Sequence, residues 1–254
     1  MRTILDDRRG IYSLRLPLTA ALLFALAAHP VSAQQRYARN FVARPNVRVQ
    51  VVNLSGRISV EGWRRNEVKV TANLESPPAR ILPNVSENDV IINVVQANRG
   101  REIGDVNFMI FVPHNASVDL ETKRGDIAVR GLRGQMLRAR VSTEGDIELT
   151  DISAAMVVAE NTMGDILFDG DLLPNGNYTL ASMQGNINIR IPANSAFRLN
   201  ATAPLTRNIN LGEFARLGFF NFMSGNRKVI GRTGDGRALL NVINQRGPIF
   251  FTRR

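Results

Sequence analysis

The sequence predicts an all-β protein: a β-solenoid-like stack of two-strand repeats, each about 20 residues long, closed by a C-terminal cap. Three observations predict this fold. A short phrase recurs six times, in which Ser, Thr or Asn is followed three positions later by Gly and then by two alternating large apolar residues, the first always Ile. The four central glycines are 20, 19 and 21 residues apart. The residues between them alternate between apolar and polar, which is typical of half-buried strands.

The glycine of each phrase is predicted to be a structural turn residue. A tight turn between strands requires a residue that accepts a positive φ, and only Gly does so without strain at Cβ. The Ser, Thr or Asn three residues earlier is expected to hydrogen-bond turn amides that the strand ladder leaves unpaired. The six predicted turns are centred on Gly56, Gly125, Gly145, Gly164, Gly185 and Gly247.

Residues 1–33 are set apart from the fold as a predicted signal peptide. Arg8, Arg9 and Arg15 precede an apolar run over 16–28, which ends at a small-residue cleavage pattern before Gln34. A membrane anchor or a core helix is the alternative, but the run is well short of the ~20 residues that a spanning helix needs. No later stretch is apolar enough to span a bilayer. We therefore expect an exported chain, in the periplasm or at the cell surface, that does not span the membrane.

The mature chain, 34–254, is predicted to be a single β-repeat domain in three parts. Residues 47–113 supply N-terminal strands, and residues 117–203 supply the regular array. Residues 204–254 lose the period before the last repeat, and we expect them to cap the stack because an exposed sheet edge invites aggregation. The aromatic cluster over 217–222 is interpreted as the core of this cap.

One repeat departs from the period. In residues 137–141 the apolar positions are shifted by one residue relative to Gly145, compared with the other copies. A shift of one residue moves side chains to the opposite face of a sheet. We therefore predict a β-bulge in this repeat.

The charge and the composition limit the classes of partner. The formal net charge is +10, with 32 Lys and Arg against 22 Asp and Glu. Nucleic-acid binding is disfavoured because the arginines are scattered, aromatic residues are few and the predicted signal peptide directs the chain out of the cytoplasm. A solvated basic surface and attraction to an anionic envelope polymer or to acidic lipid headgroups stay open. The absence of Cys excludes disulfides and thiolate metal sites.

Acidic residues follow three of the repeat glycines. These are Asp126, Asp146 and Asp165, and the next copy has Asn186 at this position. In a stack such side chains form a ladder with a spacing of about 4.8 Å. Carboxylates at this spacing repel each other. The turns could therefore move apart, Arg124 could compensate the negative charge, or a hard cation such as Ca²⁺ could bind between the carboxylates. Because Asp after Gly is also ordinary turn chemistry, no metal or cofactor is assigned, and cation binding by this ladder stays open.

No catalytic residue is assigned. The mature chain holds one histidine, His114, within a Pro-His-Asn turn, and no Cys. Nucleophilic catalysis needs a base beside the nucleophile, so the supply of bases is small. Paired carboxylates are not excluded, although Glu121, Glu144 and Glu160 stand at positions typical of exposed strand residues. We predict that the protein is not an enzyme.

Three stretches resemble a bacterial family of secreted and envelope-anchored β-strand-repeat domains of unknown function, whose members are often labelled putative adhesins. Residues 108–118 resemble its entry into the array, a strand followed by Pro, small residues and Val. The Thr-x-x-Gly-Asp-Ile step at 122, with shifted copies at 143 and 162, resembles its repeat core. Residues 229–239 resemble its terminal glycine-rich turn. The resemblance covers residues 41–254 and implies no catalytic residues.

The predicted function is that of a non-catalytic exported protein of the cell envelope, an adhesin-like scaffold or binding surface. The expected partner is an envelope glycan or a protein. It would be bound on a broad strand face with basic side chains, for example Arg130, Arg138, Arg140 and Arg190. A polysaccharide-active β-solenoid enzyme and an envelope-stress regulatory module that binds a membrane protein are the alternatives. No oligomeric state is assigned.

Overall fold

Strands account for nearly all regular structure in residues 35–95 and 103–254, the parts of the chain that this computed structural model describes. The predicted signal peptide, 1–33, lies outside these residues. No helix in the described ranges is long and apolar enough to cross a membrane. The N-terminal strands are β1 (Gln35–Val42), β2 (Arg48–Ser55), β3 (Ile58–Trp63), β4 (Glu67–Leu74), β5 (Arg80–Val85), β6 (Asp89–Val95) and β7 (Val106–Pro113).

The regular array and the C-terminal part follow in chain order. The array contains β8 (Ser117–Arg124), β9 (Ile127–Arg130), β10 (Met136–Glu144), β11 (Ile147–Ile152), β12 (Met156–Met163), β13 (Ile166–Gly170), β14 (Asn177–Gln184) and β15 (Ile187–Ile191). The C-terminal part contains β16 (Phe197–Thr202), β17 (Ile209–Asn210), α1 (Phe214–Leu217), β18 (Gly218–Met223), β19 (Lys228–Thr233), β20 (Ala238–Arg246) and β21 (Ile249–Arg253).

Two sheets face each other across one core. The first sheet has the order β1-β4-β7-β3-β9-β11-β13-β15-β21-β17, and the second has the order β18-β19-β16-β20-β14-β12-β10-β8-β2-β6-β5. In six coils the chain runs along the second sheet, turns at a glycine corner and returns along the first sheet. Inward side chains of both sheets form a single apolar cluster. The predicted all-β, solenoid-like fold is confirmed.

Parallel pairing in register builds the array. Leu137 of β10 lies opposite Val118 of β8, and Ile147 of β11 lies opposite Ile127 of β9. Since alternate residues point to opposite faces, every coil adds the same inward apolar column. Phe168 and Tyr178 are among the largest fully buried side chains, and their ring centroids are 5.8 Å apart.

The order of the coils in space differs from their order in the chain at both ends. The first coil, β2 and β3, lies between β6 and β7 on one side and β8 and β9 on the other. The last coil, β20 and β21, likewise lies between β14 and β15 and the earlier strands β16 and β17. The periodicity of the sequence does not predict where the first and last coils are inserted, because the alternation of apolar and polar residues within a coil is the same whichever coils lie beside it.

The predicted β-bulge is confirmed in β10. Val141 pairs with Thr122 and Glu144 pairs with Arg124, so β10 has one more residue than β8 between these two pairs. Val141 therefore takes the inward position that Thr122 and Asn161 take in neighbouring coils, and it is 1% exposed. Ser142, the residue that matches the repeat phrase, is exposed instead.

The aromatic residues of the C-terminal part are divided between the core and the surface. Phe214 packs against Phe197 and Phe251, with ring centroids 5.9 and 6.4 Å away, and Phe220 lies 6.5 Å from Phe197. Phe219 is 84% exposed and Phe222 is 46% exposed. The interpretation of the whole aromatic cluster as cap core is therefore wrong for Phe219 and Phe222, because β18 turns Phe219 outward and ends the sheet beside Phe222.

Candidate binding surface

All six predicted turn glycines lie in one column at the corner between the two sheets. The N–H of Gly125 donates to the carbonyl of Glu144 at 2.8 Å, and the N–H of Gly145 donates to that of Met163 at 2.9 Å. Successive corners are so close that a Cβ on Gly164 would stand 2.3 Å from the carbonyl oxygen of Gly145. Five of the six have a φ between +104° and +145°, and Gly247 is the exception. The column is thus built of backbone and offers no side-chain chemistry.

Buried polar side chains line the inner side of this corner. The side-chain amide of Asn161 donates to the carbonyl of Gly145 at 2.8 Å, and that of Asn244 donates to Gly185 at 2.9 Å. The Thr122 hydroxyl donates to the carbonyl of Arg124 at 2.9 Å. These bonds satisfy carbonyl oxygens rather than the turn amides that the sequence predicted, since the amides already bond to the next coil. They are interactions within the scaffold.

The aspartate ladder uses its carboxylates on the backbone of the next coil. Oδ1 of Asp126 accepts from the N–H of Asp146 at 3.1 Å, and Oδ1 of Asp146 accepts from the N–H of Asp165 at 2.8 Å. Asp165 accepts from the N–H of Asn186 at 2.7 Å. Each carboxylate is therefore stabilised by a backbone donor. Within the described residues, no group of three or more His, Cys, Asp or Glu converges in a way that could hold a metal ion.

The four arginines predicted to share a binding face lie on opposite faces of the stack. Arg138 and Arg140 belong to β10 of the second sheet, whereas Arg130 and Arg190 belong to the first sheet. Arg140 is paired with Glu160, and this hydrogen-bonded ion pair raises the pKa of Arg140. Arg190 is paired with Asp169, which raises the pKa of Arg190. The prediction of one basic face from these residues is therefore wrong.

His114 has a structural contact at the opposite corner. Its Nδ1 lies 2.8 Å from the carbonyl oxygen of Gly131, in the next coil. With this nitrogen protonated, the ring donates to that carbonyl and joins two coils. One of the two ring nitrogens of His114 is therefore engaged in a contact within the fold.

The positive charge of the mature chain is concentrated at one end. Residues 192–254 hold ten Lys and Arg against two Asp and Glu, whereas residues 34–191 hold eighteen of each. Residues 192–254, here called the basic end, form the last two coils and the strands β18 and β19 beyond them. This concentration corrects the expectation that the arginines are scattered, and counting charge by segment identifies it from the sequence.

Two arginines of the basic end stand directly opposite each other on the outer face. Arg198 of β16 pairs in register with Arg232 of β19, and both are exposed. Like charges directly opposite in a sheet are destabilising. Neither residue has an ion-pair partner among the described residues. The outer side chains beside them are apolar, namely Leu239 next to Arg198 and Phe219 next to Arg232.

Two exposed isoleucines and a half-buried lysine continue this surface. Ile243 is 41% exposed and Ile230 is 39% exposed. Lys228 stands opposite Thr202, in the same row as Ile243. The outer face of the second sheet at the basic end, here called the basic face, therefore mixes arginines, a lysine and large apolar side chains. It is defined by Arg198, Arg232, Lys228, Leu239, Ile230 and Ile243.

The repeat architecture and the corner column agree with a known family. The Toastrack DUF4097 profile matches residues 46–204, which is more than half of the chain. The chain belongs to the Toastrack DUF4097 family. This confirms the resemblance found in the sequence, to a β-repeat family of unknown function. No curated protein matches the sequence of this Toastrack protein.

Solved structures share the fold at low sequence identity. A structure from Clostridium sporogenes, described as a putative cell adhesion protein, is 10% identical with a TM-score of 0.53, and the match covers 87% of this chain and 100% of that chain. A structure from Bacteroides fragilis, described as a putative adhesin, is 10% identical with a TM-score of 0.30, and the match covers 88% of this chain and 99% of that chain. The first of these likenesses shows the Toastrack fold alone.

Proposed function

We propose that this Toastrack protein is an exported, non-catalytic scaffold of the cell envelope that binds an anionic envelope component through the basic face. The partner is an envelope glycan or a protein with acidic groups. The predicted leader supports export, and the neighbour described as a putative cell adhesion protein is consistent with a binding role. The corner column and the aspartate ladder serve in this proposal as scaffold.

The pair formed by Arg198 and Arg232 carries the proposal. A sheet built only for stability would place an acidic or neutral residue opposite one of them, because opposite charges across a strand pair are favourable and like charges are not. The pair is exposed, and large apolar side chains stand on both sides of it. An anionic partner would remove the repulsion and bury the apolar neighbours at the same time.

The test compares binding and stability in two matched double variants. The tagged chain is sedimented with isolated bacterial envelopes at increasing salt, and its unfolding by urea is measured separately. Arg198→Gln with Arg232→Gln should weaken envelope binding at least about tenfold while stabilising the fold by about 0.2–1 kcal/mol. The control, Arg130→Gln with Arg138→Gln, removes the same charge outside the basic face, from exposed Arg130 and half-buried Arg138, and should leave binding unchanged.

Four results would contradict the proposal. Equal loss of binding in both double variants would indicate a diffuse charge effect, and salt-independent binding would exclude an anionic partner. Release of soluble sugar from the envelope fraction would instead support the alternative of a polysaccharide-active enzyme. A membrane protein that stays bound after both double substitutions would support the regulatory alternative, with a different surface.

A further inference from the structure

The two sheets have four edges, and three of them are protected within the described residues. β1, at one edge of the first sheet, carries Arg36 and Arg39. β5, at the same end of the second sheet, contains Pro83, which has no N–H to donate. β17, at the other edge of the first sheet, is two residues long. Charges, prolines and very short strands are the usual devices that prevent edge pairing.

The fourth edge, β18, has none of these devices. Its sequence is Gly-Phe-Phe-Asn-Phe-Met, without a charge or a proline. It pairs antiparallel with β19 on one side. No described residue forms a backbone hydrogen bond with its other side. Phe219, Phe222 and Met223 are 84%, 46% and 42% exposed.

The geometry of the hairpin shows which backbone groups face outward. The carbonyl oxygen of Phe219 points at β19, because it stands 2.2 Å from where a Cβ on Gly231 would be. In an antiparallel strand, the N–H and C=O of one residue point to the same side, and those of the next residue point to the other. The N–H and C=O groups of Phe220 and Phe222 therefore face the open edge.

The surroundings of β18 are positively charged at both of its ends. Arg216 precedes the strand, and Arg227 follows it in the turn to β19. An antiparallel pair of two β18 strands would bring Arg216 of one copy beside the turn that holds Arg227 of the other. Juxtaposed like charges disfavour such a pair. A segment with acidic ends would instead place opposite charges at both positions.

We propose that β18 accepts an extended segment of another protein, which adds as an edge strand with apolar alternate residues and acidic residues at its ends. Main-chain hydrogen bonds to Phe220 and Phe222 would give affinity, and the partly exposed Phe222 ring would cover the partner's inward side chains. This proposal rests on the proposed function as a binding scaffold and names its partner as a protein.

The probe is a synthetic peptide of about ten residues, with alternating valine and threonine and two glutamates at each end. A counterpart has lysines in place of the glutamates. Binding to the full chain is measured by fluorescence anisotropy, and amide hydrogen exchange is followed by NMR. The glutamate peptide should bind at least about tenfold more tightly than the lysine peptide, and it should slow exchange at Phe220 and Phe222.

Two variants separate the backbone from the side chain. Phe222→Pro removes an edge N–H and should weaken binding at least about tenfold. Phe222→Ala keeps that N–H and should retain more of the binding than Phe222→Pro. The exchange measurement on the unsubstituted chain keeps the proposal testable if Phe222→Pro disturbs the hairpin.

Several outcomes would overturn the strand-addition proposal. Absence of peptide binding, equal binding of both peptides, or protection at amides outside β18 would each do so. A concentration-dependent dimer that Phe222→Pro dissolves would show that a second copy occupies the edge. Envelope binding that still depends on Arg198 and Arg232 would leave the proposed function standing in any of these cases.

Discussion

Alanine at Gly164 tests whether the corner column holds the stack together. The substitution has two costs. The φ of Gly164 is +128°, a conformation that residues with a Cβ rarely adopt, and the new Cβ would stand 2.3 Å from the carbonyl oxygen of Gly145. Backbone strain of this kind costs about 1–3 kcal/mol, and a backbone shift would weaken the bond from the N–H of Gly164 to Gln184. We expect Gly164→Ala to lower the free energy of unfolding by about 3 kcal/mol or more.

Two other glycines separate these costs. Gly225 has a φ of +64° and no atom within 4 Å of the added Cβ, so Gly225→Ala should cost only about 1 kcal/mol. Gly247 lacks a positive φ, but its Cβ would stand 1.6 Å from the carbonyl oxygen of Gly185. Gly247→Ala should therefore cost about 2 kcal/mol through the contact alone.

The assay is unfolding in guanidinium chloride, followed by circular dichroism and by the fluorescence of Trp63. Both probes are needed because repeat proteins can unfold in parts, and a single free energy holds only when the transitions coincide. A Gly164→Ala variant no less stable than Gly225→Ala would refute the reasoning, since it would show that the corners can separate without cost.

Three further predictions concern other parts of the scaffold. Asp146→Asn keeps an oxygen for the N–H of Asp165 and removes a like charge, so urea unfolding should show equal or slightly greater stability, with the difference vanishing at high salt. Asn161→Ala leaves the buried carbonyl of Gly145 without its donor at 2.8 Å and should cost about 1–3 kcal/mol in the same assay; an unchanged midpoint would contradict it. Burial raises the pKa of Tyr178 above its ordinary value of 10.0. The protonated hydroxyl therefore contributes to the free energy of unfolding below pH 10, and this contribution is lost as the pH rises through the pKa of the folded state. Tyr178→Phe should be less stable at neutral pH because the hydroxyl bonds to Ala154 and Leu173 are lost, and it should lose less stability above pH 10; an alkaline loss as steep as that of the unsubstituted chain would contradict the assignment.

Local signals in the sequence predicted the repeat but not the order of the coils. The need for a positive φ at a turn and the alternation of apolar and polar residues in a strand each depend on a few neighbouring residues. The glycine corners and the bulge near Gly145 could therefore be predicted from the sequence. The insertion of the first and last coils is a choice among equivalent edges, and each coil has the same inward pattern whichever neighbour it has. The outward position of Ser142 shows the same limit, because the phrase matches while the bulge reverses its face.

The candidate surface was missed for a different reason. Its signal was present in the sequence, but it required counting charge by segment rather than over the whole chain. The aromatic residues over 217–222 are interpreted from the sequence as cap core, because a segment that covers the end of the stack is expected to bury its apolar side chains. Phe219 departs from this interpretation, because it stands on the outward side of β18 and is 84% exposed.

Charge and edge protection together distinguish one end of the stack from the other. At the N-terminal end, arginines on β1 and a proline in β5 protect both edges, and the strands from 34 to 191 are electrically balanced. At the basic end, the opposed Arg198 and Arg232 and the unprotected β18 lie within three adjacent strands. Each feature alone costs stability or solubility. Because the two are unrelated in origin yet meet on the same strands, a shared partner accounts for them more simply than two separate defects.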